Sequence, residues 1–363
     1  MNNSNILRKI NNCILFRIKI ASIIFAMVTS SIIITGCGAG KDSSKVLNVY
    51  NVGDYIDEDL IDEFEEKTGI KVQYSTYDTN EMMYQKVKSG STKYDLIFPS
   101  DYMVQKMSSE GLLKKINYNN IPNYKYIDKE FSNPKYDSTN EYSVPYMWGT
   151  LGIVYNKDVI KEKIDSWDVL WNPKYKRNIL MFDSVRDTMG VALKKLGYSM
   201  NTTNQKEIDE AKQLLIKQKE LILAYVNDDG KDRMVGNEAL IGIFYSGDVP
   251  GIISENDSLT YVIPKEGSNE WVDAMCIPKT SDNQDWAEEF INFLCEPKIN
   301  ARNTEYIGYS TPISKGRELL PDEMKNDKSL YPDKKILEKC EAFLDLGPEI
   351  KKYDRAWIEL KSY

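Results

Sequence analysis

The chain has 363 residues, of which 42% are hydrophobic and 28% charged, with a formal net charge of -8. That is enough for two domains of ordinary size, and the composition excludes a disordered or fibrous protein. The acidic balance argues against nucleic-acid binding, and the absence of any histidine excludes Ser-His-Asp and Cys-His catalysis and histidine zinc sites.

At the N-terminus, residues 1–19 are polar and carry Arg8, Lys9, Arg17 and Lys19; Ile20 to Ile34 is then an apolar run of 15 residues. A membrane span needs about 20 residues, whereas this length suits a signal-peptide core. The run ends in Ile34-Thr35-Gly36-Cys37, which resembles the lipobox of bacterial lipoproteins. That resemblance implies removal of residues 1–36, lipid attachment at Cys37, and a tether over 37–45. A cleaved secretory signal with an incidental cysteine is the bland alternative. Removing the leader's four basic residues leaves 43 against 55 acidic, a net of -12. The Gly-rich run 36–41 does not have phosphate-loop spacing and follows no strand. Of five cysteines, at 13, 37, 276, 295 and 340, none forms a CxxC pair, and no disulfide is expected.

Beyond the tether, Val46–Asn51 reads as a buried strand. Glu58–Lys67 reads as a helix with Leu60, Ile61 and Phe64 on one face, Asp57 as N-cap and Gly69 as the C-terminal stop. Lys71–Ser75 is the next strand, Asn80–Ser89 a helix, Asp95–Pro99 a short buried strand, and Tyr102–Glu110 a third helix. Such alternation predicts a mainly parallel sheet covered by helices. Residues 116–142 read as loop, Gly152–Asn156 as a strand leading into a second domain, and Asp209–Lys219 and Trp286–Leu294 as helices. An amphipathic helix from about Ile350 aligns Tyr353, Trp357 and Leu360. The expected architecture is α/β, with two lobes joined by crossing strands and a cleft between them.

Ligands bind such sheets at the carboxyl ends of the strands. The turns there are Asn51–Tyr55, Pro99–Tyr102 and Phe182–Asp187; Tyr245–Asp248 and Trp271–Asp273 follow apolar runs. Taken singly, Trp271 reads as core, Tyr55 and Tyr102 as half-buried tyrosines, and Asp187 and Asp248 as capping or turn carboxylates. Asp273, between Val272 and Ala274, is the least bland, because an aspartate in an apolar run is costly without a partner.

Together these turns resemble those of the spermidine/putrescine-binding proteins of bacterial ABC importers. The matching segments are YNVGDYI at 50–56, EKTGIKVQYSTYDTNEMMYQKVKSGSTKYDLIFPSDYMV at 66–104, YSVPYMWGTLGIVYN at 142–156, SWDVLWNPKYK at 166–176, LGYSMNTTNQKEI at 196–208, YVIPKEGSNEWVDAMCIP at 261–278, and INFLCEP and IGYSTP between 291 and 312. The resemblance implies a type II periplasmic-binding-protein fold, with residues 46–148 and 273–317 in one lobe and 149–272 and 318–363 in the other. It also implies no catalysis, no cofactor and no metal. A monomer is expected, anchored outside the cytoplasm, that closes on a polyamine and hands it to a membrane permease with an ATPase behind it.

By the same resemblance the ligand cage maps to Asp54, Tyr55, Ser100, Tyr102, Ser184, Asp187, Tyr245, Asp248, Trp271, Asp273 and Tyr309. Val52 stands where the family has tryptophan, Gly53 where it has a small hydroxyl residue, Ser184 where spermidine-type members have a second carboxylate, Tyr245 where they have tryptophan, and Phe343 near a glutamine. The chemistry fits: each ammonium of a polyamine needs a carboxylate when buried, and aromatic faces pack the methylenes while attracting the flanking cations by about 0.5–2 kcal/mol each. A receptor for another small cation or a sugar, and a secreted carboxylate-pair hydrolase, remain as alternatives.

Overall fold

The computed structural model describes residues 45–363; the leader, Cys37 and the tether up to residue 44 lie outside the described residues. Strands β1 (Val46–Val52), β2 (Lys71–Tyr77) and β3 (Leu96–Ile97) alternate with helices α1 (Glu58–Thr68), α2 (Asn80–Ser89) and α3 (Asp101–Ser109). Local chemistry sets the boundaries. The Asp57 side chain accepts from the Asp59 N–H at the start of α1, and Gly69 ends it at φ 70°; Thr79 caps α2 through the Met82 N–H. Residues 116–142 hold four short 3-10 turns rather than plain loop.

Strand β4 (Ser143–Asn156) is buried along nearly all of its 14 residues. The sequence reading placed only its second half, because Pro145 and Gly149 interrupt the pattern. Pro145 is accommodated at a bulge, where the register shifts between Pro145 and Met147. β5 (Ile179–Phe182), β6 (Ile222–Val226), β7 (Ile241–Tyr245), β8 (Leu259–Val262) and β9 (Glu270–Cys276) complete the sheet. Helices α4 (Val185–Lys195), α5 (Gln205–Gln218), α6 (Asp229–Val235), α7 (Val249–Glu255), α8 (Gln284–Leu294), α9 (Pro297–Ile307) and, after three four-residue helices, α10 (Ile350–Ser362) cover it.

The strand order is β2-β1-β3-β9-β4-β7-β5-β6, with β8 on β4. Both flanks are parallel, as the strand-helix alternation predicts: β1 with β2 and β3, and β5 with β6 and β7. The centre is antiparallel, a departure from a mainly parallel sheet. β4 runs from one half to the other and β9 re-enters the first half, so the pair must oppose. Ser143–Thr150 of β4 pairs with β9, whereas Leu151–Tyr155 pairs with β7.

Buried side chains fall into separate clusters on either side of this crossing. The first runs from Leu47 to Trp148 and resumes at Val272. The second spans Leu151–Leu259, and a third joins α4, α5 and α10 through Met189, Leu215 and Tyr353. After residue 317, where the sequence reading assigned the chain to the second lobe, Leu320, Leu330 and Tyr331 still pack in the first cluster. The chain recrosses later, at 339–341: Glu341 N–H donates to the Ser268 carbonyl at 2.9 Å, and Glu270 N–H donates to the Glu341 carbonyl at 3.1 Å.

Candidate ligand-binding site

The two halves meet where strand ends converge, and most of the residues singled out from sequence come together there. Asp273 lies on β9 opposite Met147, and Trp271 opposite Gly149. Because side chains alternate along a strand, residues 271 and 273 project from the same face. Trp271 belongs to none of the three clusters and is only 9% exposed, so it sits at the seam between them.

The Asp273 carboxylate is held from the first half. Tyr55 Oη donates to Oδ2 at 2.7 Å and Ser100 Oγ donates to Oδ1 at 2.6 Å. Ser100 is itself fixed by Asn80, which the sequence reading missed: Nδ2 donates to Ser100 Oγ at 2.9 Å, and Oδ1 accepts from the Ser100 N–H at 3.0 Å. With its oxygen accepting from Asn80, the hydroxyl proton of Ser100 is committed to Asp273. The only prior signal for Asn80 was its place in the first turn of α2, at a strand end.

Asp187 comes from the second half, in the first turn of α4, with the helix dipole and the capping Ser184 beneath it. Ser184 Oγ and Tyr245 Oη both donate to Asp187 Oδ2, at 2.6 Å and 2.9 Å. Oδ1 is buried with no hydrogen-bond partner among the described residues. Ser184 thus acts here on Asp187, as helix cap and donor. Burial pushes the carboxyls of Asp187 and Asp273 above their ordinary range, and the hydrogen bonds each accepts work against that rise.

An aromatic wall joins the two carboxylates. Tyr245 stands edge-on to Trp271 with ring centroids 6.1 Å apart, Trp271 to Tyr309 at 5.3 Å, and Tyr309 to Tyr55 at 5.7 Å. The indole can lie across the seam only because residue 149 is glycine: a Cβ there would sit 2.5 Å from the Trp271 ring. Tyr309 packs over Gly247, where a Cβ would fall inside the tyrosine ring.

The remaining sequence candidates lie at the edge of this cluster. Tyr102 Oη donates to Glu81 Oε1 at 2.9 Å, and burial, with Glu81 adding, raises its phenol pKa well above the usual value. Asp248 accepts from Tyr309 Oη at 3.5 Å and pairs with Lys231 Nζ at 3.4 Å. Asp54 stands apart: it is exposed, at a positive φ of 53°. Phe343 is buried, with the Arg186 guanidinium 4.4 Å above its ring. The arrangement offers two carboxylates, one with an unused buried oxygen, separated by aromatic faces. That donor set suits a chain of methylenes with a cation at each end.

A family model of bacterial extracellular solute-binding proteins matches residues 59–332. The spermidine/putrescine-binding periplasmic protein of Salmonella typhimurium is 39% identical over 326 residues, covering 89% of this chain and 94% of that protein. The putrescine-binding periplasmic protein SpuD of Pseudomonas aeruginosa is 32% identical over 349 residues, covering 91% of this chain and 95% of its own length. Among solved structures, the spermidine/putrescine ABC transporter substrate-binding protein PotD of Streptococcus pneumoniae is 43% identical. It superposes with a TM-score of 0.82 over 88% of this chain and 99% of that one.

Proposed function

The chain belongs to the bacterial extracellular solute-binding proteins, among the spermidine/putrescine-binding members, and we propose that it captures a polyamine between its two lobes and delivers it to the permease of an ABC importer. The observation that carries this reading is the buried, unpartnered Oδ1 of Asp187 beside the Tyr245–Trp271–Tyr309 wall. A buried carboxylate oxygen without a donor costs several kcal/mol, and an ammonium supplies the missing charge and hydrogen bond together.

In this reading one terminal ammonium pairs with Asp187 and a second with Asp273, while Trp271, Tyr55 and Tyr309 cover the methylenes. Micromolar affinity needs about 8 kcal/mol net; two desolvated ion pairs and three aromatic faces suffice after the cost of ordering the ligand. Ser100, Tyr102, Ser184 and Tyr245 hold or flank these groups, and Asp248 lines the approach. The lobes, 46–148 with 273–338 and 149–272 with 339–363, hinge where the chain crosses, at residues 149–151, 268–270 and 339–341. Closure forms the surface that the permease reads. The protein acts as a monomeric receptor rather than an enzyme, outside the cytoplasm and held to the membrane by lipid on Cys37.

The direct test is calorimetric titration of a fragment starting after Cys37 with spermidine, repeated in saturating putrescine. The expected result is saturable binding of at least one amine at micromolar concentration. If neither binds at millimolar concentration, the polyamine reading is wrong. For the anchor, the full chain should incorporate labelled fatty acid in cells, and Cys37→Ser should abolish that labelling.

A further inference from the structure

Among the described residues, Asp248 is the carboxylate of the cluster that makes an ion-pair contact. Lys231, on α6, reaches the N-terminal end of α7 and places Nζ 3.4 Å from Asp248 Oδ1. The same oxygen accepts from Tyr309 Oη at 3.5 Å, and Tyr309 is the aromatic that faces Trp271 and Tyr55. The Asp248 side chain is 18% exposed and that of Lys231 40%, so the lysine approaches from solvent and the tyrosine from the cage. Asp187 and Asp273, by contrast, accept only from neutral hydroxyls. The neighbouring Arg186 guanidinium favours the ionised form of Asp187 but spends its hydrogen bonds on Leu344, Met200 and Asn201, so an ammonium finds no cation in contact with Asp187 or Asp273 and one already in contact with Asp248.

We propose that Lys231 is a specificity-determining residue: its ammonium stands at Asp248 in place of a ligand amine, leaving a cage with two carboxylates for the ligand's cations. This rests on the polyamine reading above. A ligand with two ammonium groups is fully matched by Asp187 and Asp273. The third ammonium of a triamine meets Asp248 only by displacing a tethered lysine, which is always at hand whatever the ligand concentration. Removing the lysine frees Asp248 to act as a third anchor.

The test is calorimetry with putrescine and spermidine on the fragment starting after Cys37, as wild type, Lys231→Met, Lys231→Arg and the double variant Lys231→Met/Asp248→Asn. Lys231→Met should raise spermidine affinity about tenfold or more while changing putrescine affinity less than threefold. Lys231→Arg, which keeps the charge, should retain the wild-type ratio of the two affinities, and the double variant should lose the gain. A change in that ratio cannot come from general destabilisation, which weakens both ligands alike. If wild type binds and Lys231→Met leaves the ratio unchanged, or the gain survives in the double variant, the inference is overturned and the polyamine reading stands. If wild type binds neither amine, the polyamine reading has failed and the inference falls with it.

Discussion

Asp187 shows how a single side chain can cost stability and supply function. Its Oδ1 is buried without a partner among the described residues, and burial holds its carboxyl pKa above the ordinary value. Native protein therefore binds more protons than unfolded chain between the ordinary carboxylate range, near pH 4, and the raised value. Stability of the ligand-free protein should fall as pH rises through that window. Polyamine binding runs the other way, because Asp187 and Asp273 must both be ionised to pair with ammonium, so affinity should fall as pH falls through the same window. Thermal unfolding from pH 4 to 8, with and without spermidine, reads both trends; a stabilisation by ligand that does not shrink on acidification would contradict them. Asp187→Asn should leave the melting temperature of the free protein unchanged or higher, yet lower spermidine affinity by a factor of about 30 or more, the usual cost of about 2–5 kcal/mol for leaving one side of a buried charge pair alone. At this scale the sequence was informative where chemistry was costly. Asp273 in an apolar run stood out, and the structure surrounds it with donors. Asn80 and Lys231 were invisible because nothing in their local pattern distinguishes them from helix-surface residues; only the fold brings them to Ser100 and Asp248.

The crossing strands explain why the middle of the chain was harder to read than its ends. The helix read at Glu58–Lys67 from its caps and apolar face lies within one residue of the observed Glu58–Thr68, since those signals are local. β4 is buried on both faces and shows no alternation, and Pro145 and Gly149 read as strand breakers until their partners are known. Gly149 is required by its cross-strand neighbour, Trp271, whose ring occupies the space a side chain would take. Gly149→Ala should therefore leave the β4–β9 pairing intact but push the indole off the seam. The expected outcome is a shift in tryptophan fluorescence and a loss of spermidine affinity of about tenfold, with far-ultraviolet circular dichroism unchanged. Unaltered affinity would mean that the indole is not a wall of the cage. The antiparallel centre follows from the same element: strand-helix alternation predicts parallel flanks, but a chain that passes between lobes and returns must pair its crossing strands head to tail.

For the whole molecule, the decisive feature is that the halves touch as well as share strands. Tyr309 packs with the first core, yet its ring lies on Gly247, next to β7 of the second; Gln105 on α3 accepts from the Asp345 N–H at 2.9 Å. The first contact lies beside the crossing, where Ser246 N–H donates to the Thr150 carbonyl at 2.8 Å and Trp148 N–H to the Ser310 carbonyl at 2.9 Å, and the second ties α3 to the chain beyond the crossing at 339–341, so a rotation of one half against the other acts on both. In a receptor of this kind ligand binding and closure are one equilibrium, and the apparent affinity is the intrinsic affinity scaled by the fraction of molecules able to close. Gly247→Ala isolates that equilibrium, because the added methyl would occupy the Tyr309 ring while touching neither Asp187 nor Asp273. Solution scattering should show wild type contracting when spermidine is added, whereas the variant keeps its ligand-free radius of gyration. Calorimetry should show a loss of affinity of tenfold or more, and the melting temperature of the free variant should stay near that of wild type. A variant that contracts and binds like wild type would mean that Tyr309 can be moved aside without cost, and that closure is held by the carboxylates and their ligand alone.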